Sequence, residues 1–348
     1  MENNYYYSMN DLESFNAKVT AVFGERGNGK SFSAKKKMID YHKKTGRCCG
    51  YIRRTNTELE KVMLDIFNDM YEHYPNDEFT FEGNSKSGYY YAINGKPFCY
   101  LLALSTSFQK KGVSYPTIDF LFFDEYVPED LRFLKREKEY LVSIMSTIFR
   151  DRPNFRFHFA SNSISYVCPL LEIFDIQPRN TKRFWKRKAK NSKGETRMLF
   201  VLEITQESDY RKNMIDSDLG LISQLAGIGE YMYSNNVLLD NNEHIQPNKP
   251  KGYDVFLCCF KIGNDVLGCW TNTEYDGFYV YDKYDKNFFR NYKFYIFKED
   301  KIEGWLDIKN YRANPTIKSI KNWYCDSRVK FKNQKLKRYF TDDIMKYI

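Results

Sequence analysis

The sequence predicts an α/β fold: a first domain with a mainly parallel sheet covered by helices, followed by a smaller α+β domain. Strand-like and helix-like segments alternate as far as about residue 205, which favours parallel strands with helices on both faces. From about residue 251 the strand-like segments follow one another directly, which is typical of antiparallel pairing. A chain of 348 residues is long enough for two domains.

We divide the chain into a first domain at 1–205, a linker region at 206–250 and a C-terminal domain at 251–348. In the first domain we predict strands at 18–23, 48–53, 79–82, 89–93, 98–104, 118–123 and 156–160. Helices are predicted from Ser31 onward, over 58–74, where apolar residues recur at helical spacing, and over 137–149. The linker region is polar and is expected to be helical before it ends in a stretch rich in proline and lysine. In the C-terminal domain we predict strands within 254–270, at 277–282 and at 294–297, and a helical tail at 334–348.

Residues 24–31 read GERGNGKS and fit the phosphate-binding pattern G-x-x-x-x-G-K-[ST] at every required position. An apolar strand precedes this loop and a helix follows it, so backbone N–H groups and the helix N-terminus can surround a phosphate. We expect Lys30 to reach the β- and γ-phosphates of ATP and Ser31 to bind Mg²⁺. A glycine-rich turn that matches by chance is the structural alternative. The other predicted nucleotide-binding residues of the loop are Gly24, Glu25, Arg26, Gly27, Asn28 and Gly29.

The apolar strand at 118–123 ends in Asp124 and Glu125. Asp124 is expected to bind Mg²⁺, and Glu125 to polarise the water that attacks the γ-phosphate. A second acid at this position is typical of P-loop NTPases with an additional strand between the two motifs and a catalytic glutamate, a branch that includes DNA motors, helicases and ring ATPases. An acidic pair that merely begins a loop is the structural alternative.

An asparagine and several arginines at the ends of other predicted strands and helices are further candidate residues of the nucleotide site. Asn162, after the strand at 156–160, is a candidate γ-phosphate sensor, with an Asx turn as the alternative. Arg150 follows an apolar helix and suits neutralisation of a transferring phosphoryl group from a neighbouring subunit. Arg152 and Arg156 are alternatives for this role. The structural alternative is that these arginines only form a solvated, basic helix end. Arg53 and Arg54 end the second strand and either face the nucleotide or form structural salt bridges.

The net charge of +9 suggests a polyanionic partner. Two stretches account for much of it, residues 179–197 and residues 309–338. The first has nine Lys and Arg against Glu195, with Phe184 and Trp185 interleaved, and the second has ten against one aspartate. Either could bind phosphate backbones with little sequence preference, although many such stretches are only solvated surfaces.

Several classes of protein are disfavoured by composition. The eight cysteines form no C-x-x-C pair and the four histidines are scattered, so neither a disulfide framework nor a zinc site is expected. The N-terminus lacks the features of a signal peptide, and no apolar run approaches the length of a membrane span. We therefore expect a soluble cytoplasmic protein.

The series of motifs resembles one family, the DNA-packaging ATPases of small, protein-primed, short-tailed phages, which are relatives of the large terminase subunits. The resemblance covers residues 15–165 well and continues more weakly to the C-terminus. Its first motif is generic to P-loop proteins, but the whole series is fairly specific. The motifs are GERGNGKS at 24–31, YIRR at 51–54 with Glu58-Leu59, Tyr115-Pro116 before FFDE at 122–125, TIFRDR at 147–152, and Ser161-Asn162.

The resemblance implies a ring of identical subunits, five in this family, docked at the portal vertex of a prohead in the host cytoplasm. Such a ring feeds double-stranded DNA through the portal by ATP hydrolysis. It implies the roles given above for Lys30, Ser31, Asp124 and Glu125, and makes Arg150 the arginine offered in trans. Lys111 matches a lysine assigned to the subunit interface, although Lys110 is adjacent.

The family's second domain resembles an RNase H-type nuclease without activity, used for docking to the prohead and its structural RNA. Such a nuclease needs about three carboxylates around two metal ions. The expected first core strand, residues 255–262, carries no acid, while Asp254 precedes it and Asp265 follows it. We therefore expect no nuclease activity.

Three other functions stay open on sequence. A ring helicase would prefer single strands and need an aromatic stacking platform, for which Phe184 and Trp185 are candidates. Another phage assembly ATPase would be expected to carry a membrane segment or amphipathic anchor, and we find neither. A nucleotide-dependent switch is disfavoured by Glu125, because a switch needs slow hydrolysis.

Overall fold

The computed structural model describes residues 6–348 except 86, 108–116, 151, 153, 163–164, 177, 179–181, 206–208, 227–243 and 290–291. Lys110, Lys111 and Arg179 lie outside the described residues. The chain divides into two units, residues 1–239 and residues 240–348. Within the described residues, no helix combines the length and apolar character needed to cross a bilayer.

The described residues of the first unit contain nine strands and seven α-helices, together with 3-10 helices at Asn68–His73 and Leu104–Thr106. The strands are β1 Val19–Gly24, β2 Cys48–Arg53, β3 Phe79–Asn84, β4 Gly88–Ile93, β5 Lys96–Ala103, β6 Ile118–Asp124, β7 Arg156–Asn162, β8 Phe184–Lys190 and β9 Thr196–Ile204. The helices are α1 Asn10–Ser14, α2 Lys30–Thr45, α3 Asn56–Glu60, α4 Glu137–Phe149, α5 Pro169–Ile173, α6 Asp209–Ile215 and α7 Asp218–Leu225. Thus the described helices of the predicted linker region, α6 and α7, belong to the first unit.

These strands form one sheet in the order β3-β4-β5-β2-β6-β7-β1-β9-β8. The six strands from β5 to β9 in this order are parallel, and each edge carries an antiparallel hairpin. Neighbouring residues of β6 point to opposite faces, so Phe122 and Phe123 lie in two separate hydrophobic clusters. The strand β7 lies between β1 and β6, where the acidic pair led us to expect an additional strand. The carboxyl ends of β1, β7 and β6 consequently meet at one edge of the sheet.

The single helix predicted over 58–74 is wrong. The helix α3 ends at Glu60, turns follow over residues 61–67, and a 3-10 helix spans Asn68–His73. The carbonyl oxygens of Met63 and Ile66 accept hydrogen bonds of 2.9 Å from the Tyr91 hydroxyl and the Lys35 ammonium. These carbonyl groups are therefore used by side chains from other elements, while the segment still buries Leu59, Ile66, Phe67 and Met70.

The second unit has a six-stranded sheet within the described residues, in the order β14-β13-β10-β11-β12-β15. The strands β10, β11 and β12 form an antiparallel meander, β13 and β14 run parallel to β10, and β15 runs parallel to β12. The strands are β10 Val255–Ile262, β11 Asp265–Thr271, β12 Phe278–Tyr281, β13 Lys293–Tyr295, β14 Leu306–Asp307 and β15 Val329–Phe331, and the helices are α8 Pro315–Cys325 and α9 Gln334–Arg338.

One hydrophobic cluster serves this unit. The helix α8 contributes Ile317, Ile320 and Trp323 to it, at the spacing of one helix face. The predicted helical tail begins as α9 and continues as a π-helical turn at Tyr339–Ile344.

Candidate functional site

The loop between β1 and α2 needs glycine at two positions. Gly27 and Gly29 have φ angles of 77° and 93°, in the left-handed region that favours glycine. A Cβ atom on Gly27 would lie 2.4 Å from the hydroxyl oxygen of Tyr210, so the loop packs directly against that ring. Gly29 is the N-cap of α2, which places the unpaired N–H groups of the first helical turn at the loop. This arrangement suits an anion.

Lys30, the first residue of α2, is buried within the loop. Its ammonium group donates to the carbonyl oxygens of Gly24, at 3.1 Å, and Glu25, and to Oδ1 of Asn28 at 3.1 Å. Burial lowers the pKa of Lys30 to about 8, although Glu25 and Asp124 oppose this shift. The loop thus holds a cation whose charge burial has made costly, and such a cation gains from an anionic ligand.

Ser31 and Asp124 lie in direct contact. The hydroxyl of Ser31 donates to Oδ1 of Asp124 at 2.7 Å, which joins the start of α2 to the end of β6. A hydroxyl and a carboxylate are hard oxygen ligands of the kind that Mg²⁺ prefers, and it usually takes few protein ligands beside substrate phosphates. These two side chains therefore fit a magnesium site.

Arg53, at the end of β2, bridges both predicted acids. Its guanidinium lies 3.3 Å from Oδ2 of Asp124 and forms a shorter ion pair with Glu125. The Arg53 side chain is buried whereas that of Glu125 is 64% exposed. Glu125 adopts a φ of 56°, which is uncommon for a residue other than glycine and turns the chain directly after the strand.

Tyr51 is a residue of the site that we did not predict. Its hydroxyl donates to Oδ2 of Asp124 at 2.9 Å. Burial raises the pKa of Tyr51, so the hydroxyl stays protonated. The available signal was strand periodicity, because Tyr51 and Arg53 are two residues apart and share one face of β2.

Arg54 has a structural role. Its guanidinium donates to both carboxylate oxygens of Glu137, at 2.9 and 3.2 Å, and to the carbonyl oxygen of Tyr126 at 2.6 Å. Both Arg54 and Glu137 are fully enclosed. Of the two readings proposed for the adjacent arginines, Arg53 faces the acids and Arg54 forms the structural salt bridge.

The remaining loop side chains differ in their contacts. Asn28 accepts from Lys30, and its amide donates to the hydroxyl of Thr205 at 3.3 Å, just after β9. Arg26 is exposed and forms an ion pair of 3.2 Å with Glu129. Asn28 is therefore part of the loop's internal support, and Arg26 lies at its rim.

Asn162 ends β7 at the same edge of the sheet. It lies opposite Gly24 in the register with β1, and Ala160 lies opposite Asp124 in the register with β6. Asn162 therefore stands between the start of the phosphate-binding loop and the acidic pair, where a sensor of the γ-phosphate is expected.

The three candidate arginines lie at the other edge, where β6 and β7 begin. Arg152 donates to the carbonyl oxygen of Ile118 and to Asp119, and Arg156 forms an ion pair of 3.2 Å with Glu13. Arg150 is exposed, has a φ of 43° and forms no hydrogen bond or ion pair with another described residue. Arg150 is thus the candidate whose side chain is not engaged in the described fold.

Several known proteins are similar to this chain in sequence and in fold. A family model described as Podovirus DNA encapsidation protein (Gp16) matches residues 1–346. The DNA packaging protein of Bacillus phage B103 is 27% identical over 323 residues, which cover 92% of this chain and 94% of that protein. A chain of the bacteriophage phi-29 viral genome packaging motor assembly shares the fold, with a TM-score of 0.75 and 23% identity over 97% of this chain and 98% of that one. The crystal structure of the N-terminal domain of the DNA packaging ATPase from bacteriophage phi29 matches with a TM-score of 0.50 and 28% identity, over 59% of this chain and 98% of that one.

Proposed function

The chain belongs to the podovirus DNA encapsidation (Gp16) family, and from this premise we propose that it is an ATPase that drives double-stranded DNA through a portal into a preformed prohead. The observation that carries the proposal is the contact of 2.7 Å between Ser31 and Asp124, with Glu125 next in the chain. It joins a phosphate-binding loop to a catalytic pair across β7, the arrangement of the additional-strand P-loop NTPases.

In this function each residue of the site has a distinct role. The loop N–H groups and Lys30 bind the β- and γ-phosphates, and Ser31 and Asp124 would hold Mg²⁺. When bound, the metal ion would supply positive charge beside the phosphates. Glu125 polarises the attacking water, and Asn162 senses the γ-phosphate from the neighbouring strand. Among the described residues Arg53 is the one cation in ion-pair contact with the two acids, so a divalent cation can supply the positive charge that this pair of acids still lacks.

Arg150 is proposed to act on a neighbouring subunit. The helix α4 returns from the end of β6 to the start of β7, so Arg150 lies at the edge opposite its own phosphate-binding loop. A strand of the length of β6 separates these edges by roughly 20 Å. In a ring of identical subunits, five by family resemblance, the exposed Arg150 can instead face the next nucleotide site. Lys111, outside the described residues, stays a proposal for the same interface.

The second unit is proposed to be an RNase H-like docking domain for the portal and prohead RNA, without nuclease activity. The meander β10-β11-β12 followed by the parallel strands β13 and β14 supports this fold. Asp254 forms an ion pair with Lys249, and Asp265 forms one of 2.8 Å with Lys335. No group of three or more potential metal ligands occurs among the described residues.

The helicase alternative receives less support. Phe184 packs edge-on against Phe15 with ring centroids 4.9 Å apart, and Trp185 packs against the core cluster on the other face of the sheet. Neither ring therefore offers the open face that stacking of single-stranded bases requires.

The proposal is tested with Glu125→Gln and the matched variant Glu139→Gln, which makes the same change on the exposed face of α4. We expect Glu125→Gln to bind ATP like the wild type and to lose at least about 100-fold in turnover, because the water is no longer polarised. Glu139→Gln should hydrolyse ATP normally. Turnover is measured at fixed salt with duplex DNA, single-stranded DNA and structured RNA. Near-normal hydrolysis by Glu125→Gln would refute the catalytic assignment, and stimulation by single strands alone would favour a helicase.

A further inference from the structure

We propose that the hairpin of β8 and β9 is the surface that holds the phosphate backbone of duplex DNA. This inference rests on the proposed function and adds the identity of the contact surface. We call residues 186–199 the basic ribbon. In sequence the first basic stretch, residues 179–197, shows only a run of charge and predicts no strand.

The basic ribbon projects beyond the neighbouring strand β1. Phe200 of β9 lies opposite Val19, the first residue of β1, so residues 196–199 extend past the point where β1 begins. At about 3.3 Å per residue the projection is roughly 13 Å. Residues 186–190 and 192–197 are exposed. Three pairs of the hairpin, Lys188 with Met198, Ala189 with Arg197 and Lys190 with Thr196, hold the projection as an extended arm.

Its charges are available for an external partner. The side chains of Lys188, Lys190 and Lys193 form no ion pair with other described residues. Arg187 lies 3.7 Å from Asp175, and Arg197 pairs with Glu195, both at exposed positions where such pairs are weak. The arm therefore concentrates positive charge that the fold leaves largely unpaired.

The second basic stretch, residues 309–338, differs in this respect. Many of its cations already have partners within the second unit. Arg312 and Lys321 donate to the carbonyl oxygens of Tyr347 and Ile348, while three partly buried cations form ion pairs: Lys332 with Asp282, Lys335 with Asp265, and Arg338 with Asp342. Charge that is used to hold the domain together contributes less to an external polyanion.

The shape of the basic ribbon favours duplex DNA among nucleic acids. A two-stranded ribbon fits the major groove of B-DNA, which is about 12 Å wide, and its lysines would then lie beside the phosphates. The major groove of A-form RNA is too deep and narrow for such an arm. Residues 186–197 contain no aromatic side chain, so they offer no stacking platform for single strands.

The strand β9 also links this arm to the nucleotide site. It runs from the basic ribbon along β1 to Ile204. The backbone N–H of the next residue, Thr205, donates to the carbonyl oxygen of Phe23 at 2.8 Å. The Thr205 hydroxyl accepts from Asn28 in the phosphate-binding loop. A movement of the loop can therefore be carried to the arm through one continuous strand.

The test compares two triple variants with equal loss of charge. The first is Lys188→Ala/Lys190→Ala/Lys193→Ala in the basic ribbon, and the second is Lys301→Ala/Lys318→Ala/Lys330→Ala at exposed positions of the second unit. Each is assayed for duplex binding across a salt series, and for ATP hydrolysis with and without duplex. We expect the ribbon variant to reduce the slope of log K against log[salt] by about two to three. It should also need about tenfold more DNA for half-maximal stimulation, whereas the control variant resembles the wild type.

Equal effects of the two variants would overturn the inference, since they would report only net charge. Weakened binding of structured RNA with duplex binding intact would overturn it in favour of an RNA surface. A far-ultraviolet circular dichroism spectrum and thermal unfolding identify a folding defect, and Lys188→Glu alone then repeats the comparison with less disturbance. If duplex DNA fails to stimulate even the wild type, the proposed function fails instead, which this design separates from failure of the basic ribbon.

Discussion

The two ends of β6 use the same residue types with opposite charge balance. At its start, Asp119 accepts hydrogen bonds from Arg47, at 2.6 and 2.8 Å, and from Arg152 at 3.1 Å. At its end, Asp124 and Glu125 share the single guanidinium of Arg53. Counted by direct ion pairs among the described residues, one end therefore has two cations for one acid, and the other has two acids for one cation.

This difference separates a structural cluster from a reactive one. Although partial burial would raise the pKa of Asp119, its two arginines hold that pKa below its usual range. The acid is thus fully satisfied, and its ion pairs connect β6 to neighbouring segments. The acids at the strand end retain negative charge beside a hydroxyl and a buried lysine, which is the combination that Mg²⁺ and phosphates can complete.

The largest effect is expected from Arg150, the one of the three strand-start arginines that the described fold does not engage. Arg150→Ala should lower turnover in assembled rings by about 10³-fold, because arginines offered in trans contribute effects of this order. Mixing it with Glu125→Gln should restore activity, since some interfaces then combine an intact arginine with an intact glutamate. Arg152→Ala is the matched control and should lose stability instead. Mixtures without any recovery would speak against action in trans.

The next largest effect is expected from substituting the two aspartates of β6, Asp124 and Asp119, by asparagine. Asp124→Asn should reduce turnover by about 100-fold, because it weakens a ligand of the proposed metal site. Asp119→Asn should leave the turnover of folded protein near normal but lower the free energy of unfolding by about 1–3 kcal/mol, since two guanidinium groups lose a charged acceptor. Steady-state hydrolysis and urea unfolding measure the two quantities. An equal loss of turnover in both variants would contradict the assignment of Asp119 to a structural role and of Asp124 to a functional one.

Sequence prediction succeeded for features that depend on local sequence and failed for contacts that depend on which strands are neighbours. The central strands and the phosphate-binding loop were accessible from sequence because buried strands and glycine positions obey local rules. The contacts of Arg53, Arg54 and Arg152 were not, since each depends on which neighbouring strand lies beside it. Likewise the hairpin of β8 and β9 has no apolar alternation where both of its faces meet water, so a strand pattern could not be recognised there.

The segment 58–74 shows the limit of periodicity. Its apolar spacing correctly indicated burial, but burial alone does not decide how the backbone groups are paired. The Lys35 ammonium and the Tyr91 hydroxyl take carbonyl oxygens that a regular helix would have used. Such competition comes from tertiary structure and leaves no signal in the segment itself.

A third comparison concerns the adjacent arginines at the end of β2. Arg54→Lys should lower the free energy of unfolding by about 1–3 kcal/mol, because lysine cannot reproduce the paired hydrogen bonds to the buried Glu137. Arg53→Lys should cost less, about 1 kcal/mol, since one of its two partners, Glu125, is exposed and a lysine ammonium can still pair with Asp124. It should lower turnover instead, because the two acids are held less precisely in orientation. A greater loss of stability in Arg53→Lys would reverse the assignment of structural and functional roles.

The smallest expected effect is a pH dependence of ATP binding, which should come from Lys30 and not from Asp119. The two arginines hold the pKa of Asp119 below its usual range, so Asp119 stays charged throughout the pH range of such an assay. Lys30, with a pKa of about 8, titrates within the range where proteins can be assayed. Below pH 8 the free protein already carries the charged ammonium that phosphates favour, so ATP affinity should vary little with this group. Above pH 8 binding must take up a proton, and the Kd for ATP should rise toward tenfold per pH unit. Calorimetry in buffers of different ionisation enthalpy measures both the Kd and the proton uptake. Lys30→Arg keeps its charge and should show a weaker but flat profile, so a flat wild-type profile up to pH 9.5 would mean that Lys30 stays charged in the free loop.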